Sequence, residues 1–167
     1  TRGGGATYIG PGQIMVYPII NLQEKFGNPY AIGDFKSAID AIMQRVLHSY
    51  GIPAEIFLVE DQLPSSEMRK DRKDIWITRD ARFYKIGGKG IRVQHGIAYH
   101  GFNFYLDKKS IDGFQYINAC GYRHDELGVV SIEHMLGEKI DHDAFKMSIV
   151  SEFSRVLQYS EEACCLL

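Results

Sequence analysis

Between residues 34 and 50 the apolar positions Phe35, Ala38, Ile39, Ile42, Met43, Val46, Leu47 and Tyr50 recur every three or four residues. That period predicts an amphipathic helix, with Asp34 as its N-cap and Gly51 as its stop. A second helical stripe runs through Phe145, Ile149, Phe153 and Val156 or Leu157, predicting a helix over residues 143–158, and a shorter helix is expected after Ser131. An apolar stripe on each long helix needs a sheet or another helix to cover it.

The rest of the chain changes period. Residues 56–59, 74–78, 83–86, 91–93 and 97–106 are short runs rich in β-branched and aromatic side chains, separated by turn residues. They predict several antiparallel strands, partly joined by hairpins. Residues 1–13 are too glycine-rich for a regular element and read as a shaped loop, followed by a short strand over residues 14–20. Residues 60–73 carry dense charge and Pro64-Ser65-Ser66 with no apolar period, which predicts an exposed loop. Helices mixed with a mainly antiparallel sheet define an α+β fold. At 167 residues the expectation is one domain with one core, ending in a tail over 160–167.

Composition narrows the function classes. The net charge of -2 and the absence of any Lys/Arg run argue against a nucleic-acid or membrane surface. No apolar stretch approaches the ~20 residues that cross a bilayer. Three cysteines, two of them adjacent at Cys164 and Cys165, fit neither a secreted disulfide framework nor a four-ligand zinc site, and a reducing compartment fits best. The last four residues formally match a prenylation pattern, which by itself says nothing of folding context. The six histidines make no metal-ligand spacing, so no metal and no cofactor is expected.

Candidate chemistry gathers in four segments. Three are glycine-rich or small: Arg2-Gly3-Gly4-Gly5-Ala6-Thr7-Tyr8-Ile9-Gly10-Pro11-Gly12-Gln13, then Lys85-Ile86-Gly87-Gly88-Lys89-Gly90, then His100-Gly101-Phe102-Asn103. Each would let backbone approach a ligand closely, and each alone is as consistent with tight turns. None has the dinucleotide or P-loop spacing. The fourth holds Cys120 between Ala119 and Gly121, small neighbours that would leave a sulfur reachable. A buried structural cysteine is the plain alternative. A free thiol is only a few per cent thiolate at neutral pH, so a working nucleophile needs a positive neighbour. Lys85 is the candidate for that neighbour.

Taken together and in order, these segments, extended to Ile91-Arg92 and Ile117-Asn118-Ala119-Cys120-Gly121-Tyr122, resemble the ordered motifs of the lipoyl(octanoyl) transferases. The resemblance runs from Thr1 to about Leu136 and more loosely through the last helix. It leaves the family's usual N-terminal portion without a counterpart. It implies the fold of the biotin and lipoyl protein ligases, and a two-step acyl transfer in lipoate biosynthesis. Cys120 would take an octanoyl group from octanoyl-acyl carrier protein as a thioester. A lysine of a lipoyl domain, in a 2-oxoacid dehydrogenase or the glycine cleavage H protein, would then receive it as an amide. Lys85 would support the thiolate and shuttle a proton. Arg2 to Ile9, Gly88-Lys89-Gly90 and His100-Gly101-Phe102-Asn103 would bind substrate. The compartment implied is the cytoplasm in a bacterium and the mitochondrion in a eukaryote. Three positions depart from the family pattern: Ile9 stands where a histidine is usual, Ala119 where a proline is, and Asn103 where a small apolar residue is.

Two other classes of protein compete with that reading. An ATP-using lipoate or biotin ligase would share the fold and its lysine but needs no cysteine nucleophile. A non-catalytic module that binds acyl carrier protein or a lipoyl domain would keep the loops, with Arg69, Lys70, Arg72 and Lys73 available to an acidic carrier.

Overall fold

The structure, a computed structural model, describes residues 7–57, 74–117 and 127–160. The sequence expectations for residues 1–6, for the 60–73 loop, for Cys120 and its neighbours and for the tail fall outside those residues.

The strands are β1 (Gln13–Val16), β2 (Ile20–Asn21), β3 (Glu55–Phe57), β4 (Asp74–Arg79), β5 (Arg82–Gln94), β6 (Ile97–Tyr105) and β7 (Leu127–Val129). They form one sheet with the spatial order β1-β6-β5-β4-β3, with β2 also on β6 and β7 also on β5. Every pairing is antiparallel except β5 with β7. Hairpins join β4 to β5 and β5 to β6. In the first, Asp80 and Ala81 both take positive φ (50° and 56°), the two-residue turn whose twist matches that of the flanking strands.

The helices are α1 (Leu22–Phe26), α2 (Ile32–Ser49), α3 (Ile132–Leu136) and α4 (His142–Leu157). The two predicted stripes are the buried faces: Phe35, Ile39, Ile42, Met43, Val46 and Leu47 of α2, and Phe145, Ile149, Phe153 and Leu157 of α4. They pack on Ile75, Ile77, Ile86, Phe102 and Phe104 of the sheet. Phe104 meets Phe145 edge-on at 5.3 Å and Phe102 stacks on Phe153 at 5.9 Å, so β6 is the strand that α4 covers. Among the described residues no helix is long and apolar enough to cross a membrane.

Three differences from the sequence reading have local causes. Helix α2 begins at Ile32, with Ala31 in the capping position and Asp34 in the first turn, where its charge favours the positive helix end without capping a backbone N–H. The strand expected over residues 14–20 is broken at Tyr17-Pro18-Ile19, because proline cannot donate to a ladder, and the chain resumes as β2 and the unforeseen α1. The strands expected over 83–86 and 91–93 are one continuous strand, β5, which runs through the glycines between them.

Candidate active site

Strand β5 stays regular through Gly87-Gly88-Lys89-Gly90 because its neighbours come too close for side chains there. A Cβ at Gly87 would collide with the backbone carbonyl oxygen of Asn103 on β6. A Cβ at Gly88 would lie 3.1 Å from Asn103 Oδ1 and 3.6 Å from Lys85 Nζ, so its absence opens a gap between an amide and an amine. Lys85 and Gly88 are three residues apart, and in an unbroken strand they would face opposite ways. A bulge resolves this. Ile75 pairs with Gly87 but Trp76 pairs with Lys85, leaving Ile86 as the extra residue. The bulge sends Ile86 into the helix-packed core and leaves Lys85 on the other face with Gly88, the re-aiming of a side chain that bulges commonly provide.

Lys85 is buried, with 6% of its surface exposed. Its Nζ donates to Asp74 Oδ2 at 2.5 Å, and Asp74 is itself 1% exposed. The ammonium also lies 5.9 Å from the centre of the Trp76 ring. The other Asp74 oxygen, Oδ1, accepts the backbone N–H of Lys89 at 3.2 Å. Asp74 is the first residue of β4, so its carboxylate reaches β5 at both Lys85 and Lys89. Sequence reasoning singled out Lys85 and missed Asp74. The only signal was an acidic residue at the head of an otherwise apolar run, which reads equally well as a strand-end charge.

Next along the sheet, Asn103 Nδ2 donates to Gln13 Oε1 at 3.0 Å. The Gln13 amide in turn donates to Tyr8 O at 3.2 Å and Ser110 O at 2.7 Å. Tyr8 packs edge-on against Phe114 at 5.6 Å, and Phe114 against Tyr105 at 5.2 Å. A polar relay thus ties the end of the N-terminal loop to the strand that carries Asn103.

The expected substrate segments meet in part. Gly88, Lys89 and Gly90 pair directly with Asn103, Phe102 and Gly101 across the β5–β6 ladder. The side chains of Lys89 and Phe102 leave on the helix side. Lys89 forms an ion pair with Asp40 of α2, and Phe102 is core. Desolvation by burial pulls the Lys89 amine below its ordinary pKa of 10.5, outweighing the opposing attraction of Asp40 and then Asp74. These two residues therefore offer backbone alone to the Lys85 face. His100 lies opposite Ile91, six residues along β5 from Lys85 and so about 20 Å away. It adopts a left-handed φ of 61°, with its ring between Tyr17 and Tyr99. Gly101 is required beside it, since a Cβ there would strike the Val16 carbonyl and Pro18. Tyr8 is half-buried, while Thr7 is exposed and Ile9 is 54% exposed. Arg2, Gly3, Gly4, Gly5, Ala6 and Cys120 lie outside the described residues.

Both flanks of the segment that carries Cys120 are nevertheless anchored. On the near side Phe114, in a 3₁₀ turn over Asp112–Tyr116, packs against Tyr8 and Tyr105. On the far side β7 lies parallel to β5 with Phe83 opposite Leu127 and Lys85 opposite Val129, and Val130 N–H donates to the Lys85 carbonyl at 2.9 Å. Among the described residues no three His, Cys, Asp or Glu side chains gather as a metal site would require.

The described residues form a sheet packed by helices on one face, with a buried lysine beside a glycine-rich stretch on the other. Residues 1–154 match the family model of the lipoyl protein ligase A/B catalytic domain. The octanoyltransferase of Bdellovibrio bacteriovorus is 33% identical, over 94% of this chain and 69% of its own length. That of Renibacterium salmoninarum is also 33% identical, over 92% and 58%. The chain therefore belongs to the lipoyl protein ligase A/B catalytic domain family and, within it, to the octanoyltransferases. It spans about three fifths of the length of such relatives. Among solved structures, a lipoate–protein ligase A bound with ATP superposes with a TM-score of 0.69 at 14% identity, covering 98% of this chain and 62% of that one. At that identity the likeness speaks for the fold, which is the α+β ligase fold expected from the sequence.

Proposed function

We propose that the complete protein transfers an octanoyl group from acyl carrier protein to a lysine of a lipoyl domain, through a thioester on Cys120. The observation that carries this reading is the Lys85 ammonium. It is buried against Asp74 and directed at the gap over Gly88, on a sheet whose β1–β6 end and β7 edge anchor the two flanks of the Cys120 segment. Membership in the octanoyltransferase family supplies the reaction class.

In the first step the Cys120 thiolate attacks the thioester carbonyl. A new C–S bond forms, the bond to the carrier sulfur breaks, and the carrier leaves as a thiol once it gains a proton. In the second step the neutral ε-amine of the acceptor attacks the acyl-enzyme. A C–N bond forms, the Cys120 C–S bond breaks, and the proton released by nitrogen returns to sulfur. Thioester exchange is nearly balanced in free energy and the final amide lies downhill, so the protein's task is to position groups and move protons. Lys85 supplies positive charge for the thiolate and a donor for the departing sulfur. Gly88 and Gly90 let the acyl chain approach backbone, and Asn103, whose Nδ2 donates to Gln13, presents Oδ1 beside Gly88 as an acceptor for the N–H of the incoming amine.

Intact-mass spectrometry of the full-length protein mixed with octanoyl-acyl carrier protein tests the reading. The expected result is a one-octanoyl gain on wild type, absent in Cys120→Ser and slowed in Lys85→Ala. No gain on wild type refutes acyl transfer and favours a carrier-binding module.

A further inference from the structure

The mechanism above uses Lys85 and leaves unexplained why a carboxylate is buried beneath it. Stability gives a poor account of such a pair, because an apolar pair of similar volume usually holds a fold as well or better. Asp74 is placed to do something more specific. Its two oxygens grip two different points of β5: the Lys85 ammonium at 2.5 Å and the Lys89 N–H at 3.2 Å. Those points flank the bulge at Ile86 that sends Lys85 to the Gly88 face. One carboxylate therefore fixes both the strand distortion and the flexible end of the side chain that the distortion aims.

We propose that Asp74 is a positioning residue of the acyl-transfer site, holding the Lys85 ammonium at the gap over Gly88 in the place where the reacting sulfur needs it. A lysine has four rotatable side-chain bonds and three donors. The bond to Asp74 commits one donor and removes most of that freedom before substrate arrives. An ammonium in the interior that loses its anion also tends to give up its proton, and with it the charge that favours a thiolate. Asp74→Asn keeps the size and an acceptor oxygen but removes the charge that grips the amine.

This inference rests on the transfer reading, and the test separates the two. The full-length wild type, Asp74→Asn and the smaller Asp74→Ser are compared by three measurements. Acyl-enzyme formation from octanoyl-acyl carrier protein is expected to fall by at least about tenfold in kcat with KM changed less than about twofold. Alkylation of Cys120 by iodoacetamide at neutral pH, read by peptide mass spectrometry, is expected to slow by about tenfold. In wild type alone, nitrogen-detected NMR is expected to show a slowly exchanging Lys85 ammonium signal, which no folding defect of a variant can obscure. A folded Asp74→Asn or Asp74→Ser protein with unchanged or faster alkylation overturns the proposal. So does a rapidly exchanging Lys85 ammonium in wild type. If wild type accepts no octanoyl group, the transfer reading fails, while alkylation and the NMR signal still decide whether Asp74 positions Lys85.

Discussion

Gly87 and Gly88 are adjacent, yet adding one methyl to each is expected to do opposite things. At Gly87 the new Cβ overlaps the Asn103 carbonyl oxygen, and Ile75 Cγ2 at 3.3 Å and Met43 Cε at 3.4 Å close the other sides. A backbone carbonyl inside a ladder cannot turn away, so the cost sits near the upper end of overpacking, about 3 kcal/mol. Replacing a glycine's backbone freedom returns ~0.5–1 kcal/mol. The net loss of about 2 kcal/mol corresponds to a melting temperature lower by roughly 4–8 °C for a chain of this size. At Gly88 the nearest atom is the Asn103 side-chain oxygen at 3.1 Å, which can rotate at the expense of its bond with Gln13, worth about 1 kcal/mol. That nearly cancels the same backbone gain, so stability should change by less than about 1 kcal/mol. The methyl would, however, stand within 3.6 Å of Lys85 Nζ and fill the gap in front of it. Calorimetry and acyl-enzyme formation, measured on both variants, read the two effects separately. Gly87→Ala should be the unstable variant, and Gly88→Ala the folded one that forms acyl-enzyme at least about tenfold more slowly. Equal melting temperatures, or a Gly88→Ala protein with wild-type transfer, would refute the assignment of the two glycines to opposite faces.

The Lys89–Asp40 pair yields a pH signature. The folded-state pKa of Lys89 is depressed below 10.5, chiefly by burial, so above that folded value the unfolded chain binds the proton more tightly. Lys89 thus disfavours folding at neutral pH, and the penalty fades as pH rises from the depressed value toward 10.5. Urea denaturation should show wild type gaining stability relative to a Lys89→Met, Asp40→Asn double variant as pH rises through the alkaline range toward 10.5. A constant difference across that range would contradict the burial argument. Ile9→His should shift unfolding free energy by less than about 0.5 kcal/mol, since the side chain is mostly exposed and outside the core. Any change in octanoyl transfer by that variant then reports on the imidazole itself, and a melting temperature lower by more than a few degrees would show that Ile9 packs more than its exposure indicates.

The chain by itself determined whatever depends on neighbours close in sequence. The α2 and α4 stripes are set by a 3.6-residue period, so Phe35 through Leu47 and Phe145 through Leu157 announce their buried faces without reference to anything else. The ordered motifs likewise marked Lys85, the glycines after it and Asn103 as one functional set. Tertiary structure decided how that set is arranged, because cross-strand partners are remote in sequence and leave no local trace. Continuity of β5 through its glycines depends on the approach of Asn103, fifteen or more residues away, and the face on which Lys85 sits depends on a one-residue bulge against β4. In a strand, one extra residue reverses every side chain beyond it, so no period read from Lys85 to Gly90 could assign Lys85 to Gly88's face and Lys89 to the opposite one. Asp74 was invisible for the same reason: its meaning lies in the amine it meets eleven residues later, across the turn at Asp80 and Ala81.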